Sequence, residues 1–135
     1  MLELRVPFVY ALPMLVAVLG ASDNPARYAH VAVQRLRAAH HDVIGVNPRL
    51  PDLGEVSVVK SVGELPTGVH TLTVYLAPER SELLARDLLA LPVKRVIFNP
   101  GSEHPDLQRR LTEQGTRVVE ACTLVLLATG RFDEE

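Results

Sequence analysis

Hydrophobic positions in this chain fall into short solid runs, separated by longer stretches in which apolar residues recur every third or fourth place. The runs are Leu15-Val16-Ala17-Val18-Leu19, Val43-Ile44-Gly45-Val46, Thr71-Leu72-Thr73-Val74-Tyr75-Leu76, Arg95-Val96-Ile97-Phe98 and Thr116-Arg117-Val118-Val119-Glu120. Their length and β-branched or aromatic content predict strands. Between the first two, Ala29, Val33 and Leu36 stand at i, i+4 and i+7 and predict a helix over residues 26–39. Leu84, Leu88 and Leu91 carry a second helix as far as Pro92. Pro105 opens a third, with Leu107 and Leu111 on one face and Gly115 at its end. Residues 121–129 predict a last short helix. Residues 50–70 are broken by Pro51, Gly54, Gly63, Pro66 and Gly68. They leave room for a minor strand over Val56–Val59 and a helical turn over residues 61–65.

Near-continuous apolar strands alternating with amphipathic helices predict a parallel sheet covered on both faces. The expectation is one α/β domain over residues 1–135, a Rossmann-like, doubly wound three-layer sandwich with a mostly parallel sheet of about five strands. Residues 1–13 are expected to be an extended lead-in that packs on the sheet. The uncharged stretch Val6 to Leu19 after Arg5 is faintly like a signal peptide. Cleavage near Ala21 would remove the first strand, however. The stretch is also shorter than the roughly 20 residues of a membrane span, and Pro7 and Pro13 interrupt it. The apolar segments Val6 to Leu12 and Leu124 to Leu127 are expected to cover the sheet or to form the surface of a homo-oligomer.

Ligands of such sheets sit at the carboxyl ends of the strands. The turns expected there are Gly20-Ala21-Ser22-Asp23-Asn24-Pro25, Asn47-Pro48-Arg49, Ala77-Pro78-Glu79-Arg80-Ser81 and Asn99-Pro100-Gly101-Ser102. In the first, Gly20 ends the strand, Ser22, Asp23 and Asn24 are turn and cap formers, and Pro25 fits the first position of a helix. Backbone N–H groups of such a turn, with the helix dipole behind them, hold phosphate. Arg27 adds a cation. The turn lacks the three glycines of a dinucleotide fingerprint. NAD-binding sheets also carry an acid about 20 residues further on, where this chain has Asn47-Pro48-Arg49. Both features weigh against NAD, whereas Arg49 suits either a ribose phosphate, such as that of NADP or coenzyme A, or a solvated place on the surface.

The remaining composition removes other classes. A net charge of −2 offers no basic field for nucleic acid. Cys122 is the only cysteine, so no internal disulfide forms and a reducing, cytoplasmic setting fits. His30, His40, His41, His70 and His104 supply no i, i+4 pair of a helical metal site. No catalytic pairing of carboxylates and no Ser/His/Asp set appears. Cys122 at a helix start would gain thiolate character, but a small buried hydrophobe is the plainer reading. Tyr28 and Tyr75 are of the type that stacks on a base, and packing is again the plainer reading.

These turns, in order and spacing, resemble the small stand-alone CoA-binding proteins of the bacterial YccU-like group, which is similar to the CoA-binding Rossmann domain of the succinyl-CoA synthetase α subunit. The likeness runs over residues 14–132. It rests on Val16 to Ser22 with Asn24-Pro25 and Arg27, on Val46-Asn47-Pro48, on Glu55 to Pro66, on Asn99-Pro100-Gly101 and on Glu120 to Val125. The chain departs from the group at Ala29-His30 and at Tyr75-Leu76-Ala77-Pro78, where an aspartate- and arginine-bearing form is commoner. The resemblance implies coenzyme A or an acyl-CoA as ligand. Gly20, Ala21, Ser22, Asn24 and Arg27 would hold its pyrophosphate. Asn47, Pro48 and Arg49 would lie near its adenosine, and Ala77, Pro78, Asn99, Pro100 and Gly101 would border its pantetheine. A non-catalytic sensor, carrier or regulatory module is the leading expectation. The alternatives are an NADP-type oxidoreductase or acyl-transfer subunit working with a partner chain, and an interaction module with a vestigial pocket.

Overall fold

The computed structural model describes residues 13–133; the lead-in segment Val6 to Leu12 lies outside them. Seven strands form one sheet: β1 (Leu15–Leu19), β2 (Asp42–Val46), β3 (Asp52–Leu53), β4 (Val56–Val59), β5 (Val69–Val74), β6 (Arg95–Phe98) and β7 (Arg117–Glu120). Their order is β3-β4-β2-β1-β5-β6-β7. All pair in parallel except the two-residue β3, which is antiparallel to β4. The five expected strands are present. The minor strand expected over Val56–Val59 is β4, and the unexpected addition is the two-residue β3, joined to it by a tight turn in which Gly54 has φ +65°.

Five α-helices cover the sheet: α1 (Tyr28–Ala38), α2 (Pro78–Leu83), α3 (Ala85–Ala90), α4 (Pro105–Glu113) and α5 (Thr123–Ala128). Strand alternation assigns the faces. Val16 and Val18 of β1 and Ile97 of β6 meet Ala29, Val33 and Leu36 of α1, with Leu126 and Leu127 of α5 packed alongside. Ala17 and Leu19, with Leu72, Val74, Val96 and Phe98, meet Ala85 and Leu88 of α3 and Leu107 and Leu111 of α4. The tail segment Leu124 to Leu127 thus covers the sheet through Leu126 and Leu127. Fully burying an aliphatic side chain such as Leu36 stabilises by roughly 1.5–3 kcal/mol, and both layers are built from such residues.

Two boundaries differ from the pattern-based expectation. Helix α1 starts at Tyr28, not at Pro25, because Asn24 first closes a turn of its own. Its Oδ1 accepts from the Ala26 N–H at 3.0 Å and its carbonyl accepts from the Arg27 N–H at 3.0 Å. The expected second helix is two helices, broken at Leu84 (φ −105°, ψ 4°).

The amino end of the sheet is closed by polar groups gathered around the chain's last described residues. Arg95, 3% exposed, donates from Nε to Thr71 Oγ1 at 2.9 Å and from Nη1 to the Phe132 carbonyl at 2.7 Å. Its guanidinium lies 4.6 Å from the Phe132 ring centre. Buried His41 stands beside Phe132, accepts the Met14 N–H at Nδ1 (3.1 Å) and turns Nε2 toward Asp133 at 3.4 Å.

Burial holds the His41 pKa below its ordinary value; Asp133 and Asp42 oppose the shift and Arg95 assists it. The folded protein therefore takes up this proton later than the unfolded chain. The His41 contribution is complete above about pH 6.5 and is lost as pH falls below it. Urea midpoints measured at pH 8 and pH 5.5 should drop more for the wild type than for His41→Asn, whose amide oxygen keeps an acceptor for Met14. Equal drops would place the pH dependence elsewhere.

Candidate CoA-binding cleft

The strand order reverses at β1, between β2 on one side and β5 on the other. Beyond their carboxyl ends β1 leads into α1 and β5 into α2. A cleft of about 690 Å³ opens there.

Its floor is the turn after β1. Gly20 has φ +91°, and a Cβ there would stand 2.8 Å from the Tyr75 carbonyl oxygen. Only glycine lets β1 turn so close to the backbone of β5. Gly20 N–H donates to the Val46 carbonyl and Tyr75 N–H to the Leu19 carbonyl, which ties the turn to both neighbouring strands. Ala21 is buried and its Cβ faces Gly45 of β2, where a side chain would come within 2.9 Å.

Polar side chains hold the rest of the turn. Ser22 Oγ accepts from the Asn24 N–H at 3.0 Å. Asn47 Nδ2 donates to the Ala21 carbonyl at 2.7 Å, and Asn47 Oδ1 accepts from the Arg49 N–H at 2.8 Å. His30, in the first turn of α1, lies 2.9 Å from the Ser22 carbonyl through Nδ1 and 3.2 Å from Gln34 Nε2 through Nε2. That pattern fits an imidazole with its proton on Nδ1. With the turn pinned in this way, the N–H groups of Ala21, Ser22 and Asp23 make no hydrogen bond among the described residues. Helix α1 behind them has no side-chain cap and no acid in its first turn. These are the donors and the dipole that suit an anion.

The walls are cationic. Arg27, Arg49, Lys60 and Arg80 line the cleft, none of them enters an ion pair among the described residues, and no lining residue is acidic. Arg49 and Lys60 stand on the side of β2 and β4. On the β5 side the lining combines Tyr75, Leu76, Leu83 and Leu84 with Arg80 of α2. Among the described residues, no three His, Cys, Asp or Glu side chains gather as metal ligands would, and no helix is long and apolar enough to cross a membrane.

Of the residues singled out in the sequence, Gly20, Ala21, Ser22, Asn24, Arg27, Asn47, Pro48 and Arg49 all line this one cleft. Ala77, Pro78, Asn99, Pro100 and Gly101 do not. Ala77 and Pro78 form the start of α2. Pro100 and Gly101 are exposed in the following turn. Asn99 is 2% exposed and its side chain is occupied by the protein itself. Nδ2 donates to Thr73 Oγ1 at 2.7 Å and to the Val74 carbonyl at 2.9 Å, while Oδ1 accepts from the Thr123 N–H at 2.8 Å.

Arg80, from the expected turn over residues 77–81, also lines the cleft, as do Lys60, Ser61, Leu83 and Leu84, which the sequence had not singled out as ligand contacts. The minor strand expected over Val56–Val59 is β4, and its parallel pairing with β2 brings Lys60 and Ser61, which follow its carboxyl end, to the cleft. Tyr28 and Tyr75 both reach the cleft wall. Tyr75 is also packed against the α1 layer. Its hydroxyl is buried without a completed hydrogen bond, and burial pushes its pKa up to about 12. Cys122 is half-buried at the start of α5, outside the cleft.

Comparison with known proteins bears on the same region. Residues 15–128, from β1 to the end of α5, match the family described as CoA binding domain. A Thermus thermophilus protein of known structure is 31% identical, with 92% of this chain and 94% of that one covered at a TM-score of 0.81. The uncharacterized protein YneT of Bacillus subtilis is 25% identical over 104 residues, 77% of each chain. The fold is also similar to part of the dinucleotide-forming acetyl-coenzyme A synthetase 1 of Candidatus Korarchaeum cryptofilum. That likeness has 22% identity and a TM-score of 0.69, and covers 81% of this chain and 26% of the synthetase. With the family match spanning the whole sheet and the cleft at its switch point, this chain belongs to the CoA binding domain family.

Proposed function

We propose that this protein binds coenzyme A or an acyl-CoA in the cleft above β1, as a non-catalytic sensor, carrier or regulatory module of the reducing cytoplasm. The observation that carries the reading is an acid-free cleft with four unpaired cations around a turn of free N–H groups. CoA presents a pyrophosphate and a separate ribose phosphate, and both need such partners. The pyrophosphate fits over the free N–H groups of the turn between β1 and α1, at Ala21 and Ser22, with Arg27 beside it. Arg49 and Lys60 are within the same cleft on the adenosine side, and the pantetheine runs toward Leu76 and Leu84. The absence of a carboxylate at the tip of β2 disfavours a free ribose diol and therefore NAD.

Catalysis has little support in the lining. The hydroxyls in the lining belong to Ser22, Ser61, Tyr28 and Tyr75, and the lining holds no histidine or carboxylate to act as their base.

The test is thermal unfolding with added nucleotides. A ligand at 100 times its Kd stabilises the native state by about 2.7 kcal/mol. For a domain of this size that is a rise of roughly 10 °C in Tm. CoA is expected to give such a rise and NADH none. A rise with NADPH and none with saturating CoA would favour the oxidoreductase reading and end this one.

A further inference from the structure

The turn after β1 is held asymmetrically. Its carbonyls at Ala21, Ser22 and Asn24 each accept a hydrogen bond, from Asn47 Nδ2 at 2.7 Å, His30 Nδ1 at 2.9 Å and the Arg27 N–H at 3.0 Å. Its N–H groups at Ala21, Ser22 and Asp23 donate to nothing among the described residues. A loop fastened for stability alone would satisfy its donors as readily as its acceptors. Occupied carbonyls beside free N–H groups are the arrangement an anion requires.

Two of these bonds come from side chains, and they fall on the two peptide units that flank Ser22. Asn47, just beyond β2, takes the carbonyl of the Ala21–Ser22 unit. His30, in the first turn of α1, takes the carbonyl of the Ser22–Asp23 unit. A trans peptide is planar, with its N–H antiparallel to its C=O, and no described peptide is cis. Fixing a carbonyl therefore fixes the N–H of the same unit. Between them the two side chains set both planes around Ser22, which lines the cleft.

His30 itself does not line the cleft. It stands behind the turn, half-buried, with its Nε2 3.2 Å from Gln34 Nε2 one helical turn further on. The Gln34 amide donates to Nε2, which leaves the imidazole proton on Nδ1, facing the Ser22 carbonyl. We infer that His30 is a positioning residue of the anion site, holding the Ser22 segment ready for the pyrophosphate without touching the ligand. The inference deepens the CoA reading and rests on it.

Isothermal titration calorimetry of two variants tests this, with thermal unfolding of the ligand-free proteins as the check on folding. His30→Phe keeps a ring and removes the donor. His30→Asn places an amide nitrogen where Nδ1 stands, one bond beyond Cγ, and keeps it. The phenylalanine variant should bind CoA about tenfold more weakly than the wild type, and the asparagine variant within about threefold of it. Their ligand-free Tm values should agree within about 3 °C, so that the rescue is one of binding and not of folding. The tenfold loss should be the same for CoA and for dephospho-CoA, since both carry the pyrophosphate.

If His30→Phe binds CoA as the wild type does, or if both variants lose affinity alike, the positioning role falls and the CoA reading stands. A loss confined to CoA and absent with dephospho-CoA would put the effect at the ribose phosphate and overturn the inference in the same way. If the wild type binds neither ligand, the CoA reading falls and takes the inference with it.

Discussion

Gly20→Ala is expected to destabilise the protein by about 3 kcal/mol or more and to abolish the stabilising effect of CoA. Two costs add at this position. The backbone sits at φ +91°, a conformation that costs an L-residue on the order of 1–2 kcal/mol. The new methyl would stand 2.8 Å from the Tyr75 carbonyl oxygen and 3.1 Å from Leu76 Cδ2. The first of these is backbone held in the β1–β5 pairing, so it cannot rotate away. Relief requires β1 and β5 to separate at their carboxyl ends, which is where Ala21, Ser22 and Asp23 present their N–H groups. Urea unfolding and the CoA-dependent Tm shift measure the two effects. A stability within about 0.5 kcal/mol of wild type, with the shift retained, would show that the close approach is not needed.

Asn99→Ala should be nearly as damaging, but through a different route. The side chain bridges β6, β5 and the start of α5 by three hydrogen bonds, and the alanine would strand the Thr123 N–H in the buried layer. A buried donor without a partner costs about 1–3 kcal/mol, and the lost volume adds to it. The expected total is about 3 kcal/mol, with CoA affinity preserved in the fraction that folds. A contact residue of the ligand would behave in the opposite way, losing affinity and keeping stability. Chemical denaturation paired with titration of the folded variant separates the two roles.

Asn99 illustrates what local pattern does and does not carry. Asn-Pro-Gly after an apolar run is turn chemistry, and the turn is present. Its partners Thr73 and Thr123 are 26 and 24 residues away, and no local spacing announces them. The Gly20 turn was legible for the converse reason. An apolar run, a glycine and a run of small polar residues before an amphipathic stretch encode strand, turn and helix within a single short window. Parallel topology then placed Asn47-Pro48-Arg49 on the same edge, since every strand in such a sheet ends there.

Lys60 was obscured although the minor strand over Val56–Val59 was expected, because no local spacing shows that this four-residue strand runs parallel beside β2 and so ends at the cleft. The break at Leu84 was hidden because Leu84, Leu88 and Leu91 keep helical spacing across it, with no glycine or proline between them. The break leaves Leu83 exposed and turns Leu84 onto the core, while both line the cleft.

The central claim is that the cleft above β1 is a coenzyme A site. Crystallising the protein with CoA tests it most directly. The account predicts the pyrophosphate within hydrogen-bond distance of the N–H groups of Ala21 and Ser22, the ribose phosphate beside Arg49 or Lys60, and the pantetheine along Leu76 and Leu84. CoA bound elsewhere on the molecule, or a cleft that stays empty of it at saturating concentration, would contradict the account.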